Sequence, residues 1–227
     1  DTRHRRLIEA IQRRDAAPEL CELLTDAGLD AGQPLLVVCA TPDGSPGSDV
    51  GPSALRFSHR GRAAWAEHPD GDIIGVLSEE PSAVPGLVVG LARASTPDEL
   101  DHALRESRRV ARAAASLRGA GVHTAGSLGL LLTLHEDPLL RERLVNRWID
   151  PLRTDPRQDL VSTLRAWQEH RGQIEAASRE LGVHPNTVRN RLRTLDLLWG
   201  PQWRDMGAQA EIWAALVAEG ATPVPSG

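Results

Sequence analysis

The chain has 227 residues, 41% of them hydrophobic and 25% charged, with a formal net charge of −5. That length allows one large domain or two modest ones, each able to bury a core. The balance excludes a wholly basic nucleic-acid coat, and no apolar run reaches the roughly 18 residues a membrane helix needs. All 26 basic side chains are arginine, and lysine and tyrosine are absent. Residues with AT-rich codons are the scarce ones, which points to a high-GC bacterial genome and warns against overreading any single arginine. Cys21 and Cys39 have neither metal-ligand spacing nor a disulfide framework, so a reducing cytoplasm is the expected setting. The opening at Asp1, without a methionine, is read as the mark of a fragment whose upstream part is missing.

In chain order, residues 3–27 carry the spacing of helices broken at Pro18, with Leu7, Ile8, Ile11, Leu20, Leu23 and Leu24 as the apolar stripe. Arg3, Arg5, Arg6, Arg13 and Arg14 are read as a solvated face. "PLLVVCA" (34–40) predicts a buried strand holding Cys39 as a structural thiol, and a Pro/Gly/Ser/Asp loop follows at 41–53. "ALRFS" (54–58), "GDIIGVLS" (71–78) and "GLVVGLA" (86–92) predict further strands, with Asp70-Gly71 as turn chemistry. "STPDEL" predicts a helix start: Thr96 as cap, Pro97 at the first position and Glu99 closing a capping box. Leu100, Ala103, Leu104, Val110, Ala111, Ala114 and Leu117 give that helix an apolar face to about Arg118. Arg105, Arg108, Arg109 and Arg112 form a second face, read as solvated, with a contact surface as the alternative.

"GAGVHTAGSLG" (119–129) lacks the Gly-Lys-Ser/Thr ending of a phosphate loop and any dinucleotide spacing, so it is read as a hinge. Beyond it the pattern is all-helical. One helix starts near Asp137-Pro138 with Leu139, Leu140, Leu144 and Trp148. Another opens at Asp155-Pro156 and Gln158, carrying Leu160, Leu164 and Trp167. The tail "ATPVPSG" is expected to fray. The domain reading is a helical linker segment (1–32), an α+β module (33–118), a helical connector (119–157), an all-α domain (158–220) and the tail (221–227). The fold class is α+β.

Within 173–199 the chain reads helix, tight turn, helix. "QIEAASREL" turns Ile174, Ala177 and Leu181 inward, Gly182 can take the positive φ that leaves the helix, and Val183 plugs the turn. His184 sits at the next cap with Pro185 at the first helical position. Val188, Leu192 and Leu195 then form one buried stripe. Asn186, Arg189, Asn190 and Arg193 project from the other side, and two of the chain's three asparagines lie there. From Arg171 to Arg204 six arginines face Glu175, Glu180 and Asp196, a local +3 in an acidic chain. This is the pattern of a helix-turn-helix recognition helix, with arginine suited to guanine and asparagine to adenine. Thr187, His184 and Gln173 are placed for phosphate positioning. Arg191, beside the buried stripe, suits a structural or phosphate contact.

The stretch "DLVSTLRAWQEHRGQIEAASRELGVHPNTVRNRLRTLDLLWG" resembles the C-terminal helix-turn-helix of the PucR/CdaR (purine catabolism regulator and sugar diacid regulator) family of bacterial transcription factors. The motif H-x-N-T-[VL]-x-x-R-[LVM] is met by His184, Asn186, Thr187, Val188, Arg191 and Leu192. The leading T-L-R-x-[WY] element is met by Thr163, Leu164, Arg165 and Trp167, and the trailing one by Glu211, Ile212, Trp213, Ala215 and Leu216. The resemblance implies a degenerate GGDEF-like module ahead of the DNA-binding domain and a cytoplasmic, non-enzymatic regulator. Its implied partners are double-stranded DNA with a palindromic operator and a second copy of the chain, with no membrane and no cofactor. A small-molecule effector would be bound here or by a missing upstream sensor. Pro185 departs from the arginine common in the family, Asn190 from an aromatic residue and Ser178 from alanine.

The alternative is a nucleotide-handling enzyme of the diguanylate cyclase kind. Its nearest echo, "DGDIIG", lacks the paired acidic residues that would hold metal and nucleotide. His59, His68, His102, His123, His135 and His170 are scattered, as lone histidines rather than a metal centre. Asp43, Asp49, Asp70 and Asp72 are loop and turn residues. The middle module is expected to pair copies of the chain rather than to bind a ligand.

Overall fold

The computed structural model describes residues 2–43, 62–83, 85–154 and 159–221. The expected strand at 54–58, the residues Asp49 and His59, the Asp155-Pro156 opening with Gln158, and the tail beyond Ala221 lie outside them. The chain divides into two compact units, Asp1–Thr133 and Leu134–Gly227. The first is α+β and the second all-helical. No helix among the described residues is long and apolar enough to cross a membrane.

The first unit opens with α1 (Thr2–Arg13) and α2 (Ala17–Asp26), separated as Pro18 requires. The sheet follows: β1 (Leu35–Pro42), β2 (Ala63–Glu67), β3 (Ile73–Leu77) and β4 (Leu87–Ala94). After a short 3-10 turn (Pro97–Glu99) come α3 (Leu100–Leu117), β5 (Gly121–His123) and α4 (Ala125–Leu128). The strand order is β2-β3-β1-β4-β5, antiparallel throughout except for β4 with β5. One face of the sheet presents Leu35, Val37, Ala64, Ile74, Val76, Ala92 and Ala94. These share a core with Leu7, Ile8 and Ile11 of α1, Leu20 and Leu24 of α2, and Leu100, Ala103 and Leu104 of α3. The two N-terminal helices are thus built into the core, where a linker segment was expected. The other face carries Leu36, Val38, Ala40, Ile73, Leu77, Leu87, Val89 and Leu91.

Two glycines set the spacing of these layers. A Cβ on Gly90 would lie 2.0 Å from the Ser107 carbonyl oxygen and 2.5 Å from the Ala111 nitrogen, so the backbone of α3 rests directly on β4. Ala103, Ser107, Ala111 and Ala114 supply the small, fully covered flank that permits this approach. Gly75 stands opposite Trp65 across the β2–β3 pair, and the indole occupies the space a Cβ would take, at 2.2 Å. The β2–β3 turn is made by Asp70 and Gly71 as anticipated: Gly71 has φ 89°, and the Asp72 N–H donates to the Asp70 carboxylate at 3.2 Å.

Several expectations are corrected. Strand β2 was not anticipated, and the connector read as a hinge contains β5 and α4, the latter closed by a Thr124–Ser127 capping box. At Thr96 there is no side-chain cap; Glu99 instead accepts from the Ser95 N–H at 2.7 Å, so the reciprocal half of the box is missing. Arg105 and Arg112 are exposed, but Arg108 is drawn inward to 3.5 Å from Asp70 and is only part of the solvated stripe by sequence.

In the second unit, α6 (Pro138–Trp148) is capped by Asp137, whose carboxylate accepts from the Leu140 N–H at 2.9 Å; it follows α5 (Leu130–Glu136). Leu139, expected on the apolar face of α6, is 65% exposed. Then come α7 (Leu160–Glu169), α8 (Ile174–Glu180), α9 (Pro185–Trp199) and α10 (Met206–Ala221). The cap of α7 is Asp159, which accepts from the Ser162 N–H at 3.3 Å. Five of the six tryptophans fall in this unit. Trp148, Trp199 and Trp203 meet edge to face at 5.2 and 6.0 Å, and Trp167 leans on Trp203 at 5.2 Å. Trp148 donates to Glu211 at 2.9 Å, and Arg165 reaches Glu219 at 2.7 Å, which ties α6 and α7 to α10.

Gly90→Ala is expected to lower the unfolding free energy by about 3 kcal/mol, because backbone cannot yield as a side chain can. Gly207→Ala, with nothing within 4 Å of the added carbon, should be neutral or stabilising. Urea melts of both variants test the contrast.

Burial, then the Asp72 charge, pushes the Cys39 thiol up to about 12. The unfolded thiol titrates near about 8.5, so stability from keeping Cys39 neutral is present below that pH and lost as pH climbs towards the folded value. A thiol reagent at pH 8 should label Cys21 alone in the native protein and both cysteines after denaturation.

Candidate nucleic-acid interface

The geometry starts at the C-terminus of α7. Arg171 (φ 52°) and Gly172 (φ 82°) turn the chain, and His170, the C-cap of α7, meets Glu180 at 2.6 Å, which fastens the end of α8 to the end of α7. Ala177 and Ser178 are buried. The Ser178 hydroxyl donates to the Glu175 carbonyl at 2.9 Å, so serine replaces alanine here without leaving a polar atom unpaired. Gly182 leaves α8 at φ 64°, a conformation that disfavours any side chain even though open space surrounds it. The Val183 N–H then closes on the Ser178 carbonyl at 3.0 Å.

His184 caps α9. Its Nδ1 accepts from the Asn186 N–H at 3.2 Å, and Pro185 fills the first helical position, where no N–H is needed. Val188, Leu192 and Leu195 are buried against Leu160, Leu164, Trp203, Ile212 and Leu216. That seating leaves Asn186, Arg189, Asn190 and Arg193 exposed together.

These four are not independent. Arg189 donates through Nη1 to the Asn186 Oδ1 at 2.8 Å, and Arg193 through Nη1 to the Asn190 Oδ1 at 3.1 Å. Each asparagine keeps its amide N–H donors and a second oxygen lone pair, the combination that reads adenine. Arg189 also donates through Nη2 to Glu175 of α8 at 3.0 Å. Gln173 and His184 are exposed and Thr187 is half-buried.

Arg191 is placed apart. Its Nη1 donates to the Thr163 hydroxyl at 2.9 Å, and Thr163, fully buried, donates in turn to the Asp159 carbonyl at 2.6 Å. Arg191 therefore braces α9 against α7. At the far end of α9, Asp196 accepts from Trp203 at 2.8 Å and from Arg204. The Arg204 guanidinium, helped by the indole N–H, holds the Asp196 carboxyl below the usual carboxylate range.

Two residues of this arrangement escape a reading by pattern. Glu175 had counted only as an acid against the local arginine excess, and Thr163 only as a motif position; neither spacing announces the arginine it meets. The histidines are occupied locally: His68 with Asp70 at 2.6 Å, His102 with Glu106 at 3.7 Å and His123 with the Gly119 carbonyl at 3.1 Å. Among the described residues no group of three or more His, Cys, Asp or Glu side chains could hold a metal ion.

Arg191→Ala should cost about 1–3 kcal/mol of stability, because a charge-assisted hydrogen bond is lost beside a buried hydroxyl. Thermal melts of this variant and of Thr163→Val would check it, and the double variant should cost less than the sum of the two.

Residues 160–218 match the PucR C-terminal helix-turn-helix domain. An uncharacterized protein of Mycobacterium tuberculosis is 28% identical over 210 residues, covering 83% of this chain and 51% of that protein. A Mycobacterium bovis counterpart gives the same figures, 28% over 210 residues. The chain thus spans about half the length of the curated relatives it matches. The crystal structure of a regulator of polyketide synthase expression from Bifidobacterium adolescentis superimposes with a TM-score of 0.41 at 20% identity, over 96% of this chain and 97% of that one.

Proposed function

We propose that this chain, whose residues 160–218 match the PucR C-terminal helix-turn-helix domain, acts as a sequence-specific DNA-binding transcriptional regulator of a bacterial metabolic operon. One observation carries the reading: the buried stripe Val188, Leu192 and Leu195 leaves two asparagines and two arginines on the opposite side of α9, near its N-terminus. A recognition helix presents its base-reading side chains there, in the major groove. Asn186, Arg189, Asn190 and Arg193 are assigned to base edges. Thr187, His184 and Gln173 are assigned to phosphates, where contacts fix register without reading sequence.

One short helix covers only a few base pairs, so two copies on a palindromic operator supply the remaining specificity. The α+β unit, read as a degenerate GGDEF-like module, is assigned to pairing the copies. Its cleft between α1 and the β2–β3 hairpin, 530 Å³ and bordered by Arg5, Glu9, Gln12, Glu67 and His68, is the place in this unit to test for a small-molecule effector.

The test is fluorescence anisotropy on a duplex selected from random pools, repeated across salt concentrations. Asn186→Ala and Asn190→Ala should each weaken binding to that duplex by about 1–3 kcal/mol and leave binding to unrelated DNA nearly unchanged. Gln173→Ala and Thr187→Ala should weaken both duplexes alike. Equal losses on every DNA for the asparagine variants would remove them from the reading face.

A further inference from the structure

Glu175 is oddly placed for a surface that meets DNA. It lies in the first turn of α8, exposed, where a carboxylate suits the helix dipole but opposes a phosphate backbone. A purely helix-stabilising role would leave its carboxylate free to point anywhere. Instead it reaches across the turn to Arg189, fourteen positions later, at 3.0 Å.

The consequence is for the guanidinium. Arg189 has five N–H groups. One on Nη1 is given to Asn186 at 2.8 Å and one on Nη2 to Glu175 at 3.0 Å. One N–H remains on each terminal nitrogen, and two such donors are what guanine O6 and N7 accept. An arginine without these restraints is as free to reach a phosphate as a base, and a phosphate contact adds affinity without sequence information.

We infer that Glu175 is a positioning residue: with Asn186 it holds the Arg189 guanidinium for a guanine edge and so sets base preference at one position of the operator. This rests on the DNA-binding reading above. The acid gives up some general attraction to DNA and confers discrimination.

The experiment selects bound duplexes from random pools with the wild-type chain, Arg189→Ala, Glu175→Ala and Glu175→Gln, and then measures affinities for the wild-type consensus and its single-base variants. Comparison of the wild-type and Arg189→Ala profiles locates the base that Arg189 reads. Glu175→Ala should lower the guanine preference at that base about tenfold, as expected for one bidentate contact, with binding to unrelated DNA unchanged or tighter. Glu175→Gln keeps an acceptor oxygen and should restore most of the preference. A Glu175→Ala shift equal on all duplexes would mean that the carboxylate acts only as charge, and would overturn the inference. So would an equal loss of preference in Glu175→Gln, or an Arg189→Ala profile unchanged from wild type; in both cases the protein remains a DNA reader. If the wild-type chain selects no sequence, the DNA-binding reading fails, and this inference with it.

Discussion

Helix α9 is held by one stripe, and the remainder of the C-terminal unit is arranged around that fact. Val188, Leu192 and Leu195 lie four and three residues apart, so they share a single line down the helix and can be buried together. Once they are seated on Leu160, Leu164, Trp203 and Ile212, the rotation of the helix about its axis is fixed. The exposed flank of its N-terminal half then shows Asn186, Arg189, Asn190 and Arg193, and Leu197 follows further along. Rotation by one residue would drive a charge into the tryptophan cluster, at a cost no surface contact could offset. Arg191 turns this constraint to use: falling beside the stripe, it finds the Thr163 hydroxyl and braces the helix instead of facing outward.

The α+β unit is organised by a different constraint, the distance between backbones. Gly90 lets the backbone of α3 lie on β4, and Gly75 leaves room for the Trp65 ring. In each case the absence of a side chain on one element is matched by a small or flat partner on the next: Ser107 and Ala111 in the first, an indole in the second. Packing at Gly90 is intolerant of added volume, because the nearest atoms belong to main chain and cannot change rotamer; at Gly75 the neighbour is the Trp65 side chain. Rigidity here comes from close approach, and in the C-terminal unit from aromatic volume.

What could be read in the chain before the structure follows from these two modes. Elements with strong local signals were legible: the apolar runs that became β1, β3 and β4, the amphipathic α3, and the glycine-turned pair α8 and α9. Strand β2, "AAWAE", was not, since three alanines carry no strand preference and the segment becomes a strand only by pairing with β3. β5 is three residues long and exists because β4 offers an edge. On the candidate interface, burial or exposure followed from helical periodicity alone. Partners did not. The Thr163–Arg191 and Glu175–Arg189 contacts join residues 28 and 14 positions apart, across turns whose angles no local pattern encodes.

The same contacts change how the local basic charge should be counted. Of the six arginines between Arg171 and Arg204, Arg191 is engaged with Thr163 and Arg204 with Asp196. Both keep their charge, and the local +3 already subtracts Asp196, but neither guanidinium is free to swing out to a phosphate. Arg189 and Arg193 are engaged as well, but by exposed partners, Glu175 and the two asparagines. Exposed ion pairs contribute at most about 1 kcal/mol, less than a good base contact provides. Such pairs can order side chains before binding without competing seriously with the base that replaces or joins them. A surface built this way draws little on net charge and much on geometry, which suits a protein whose overall charge is −5.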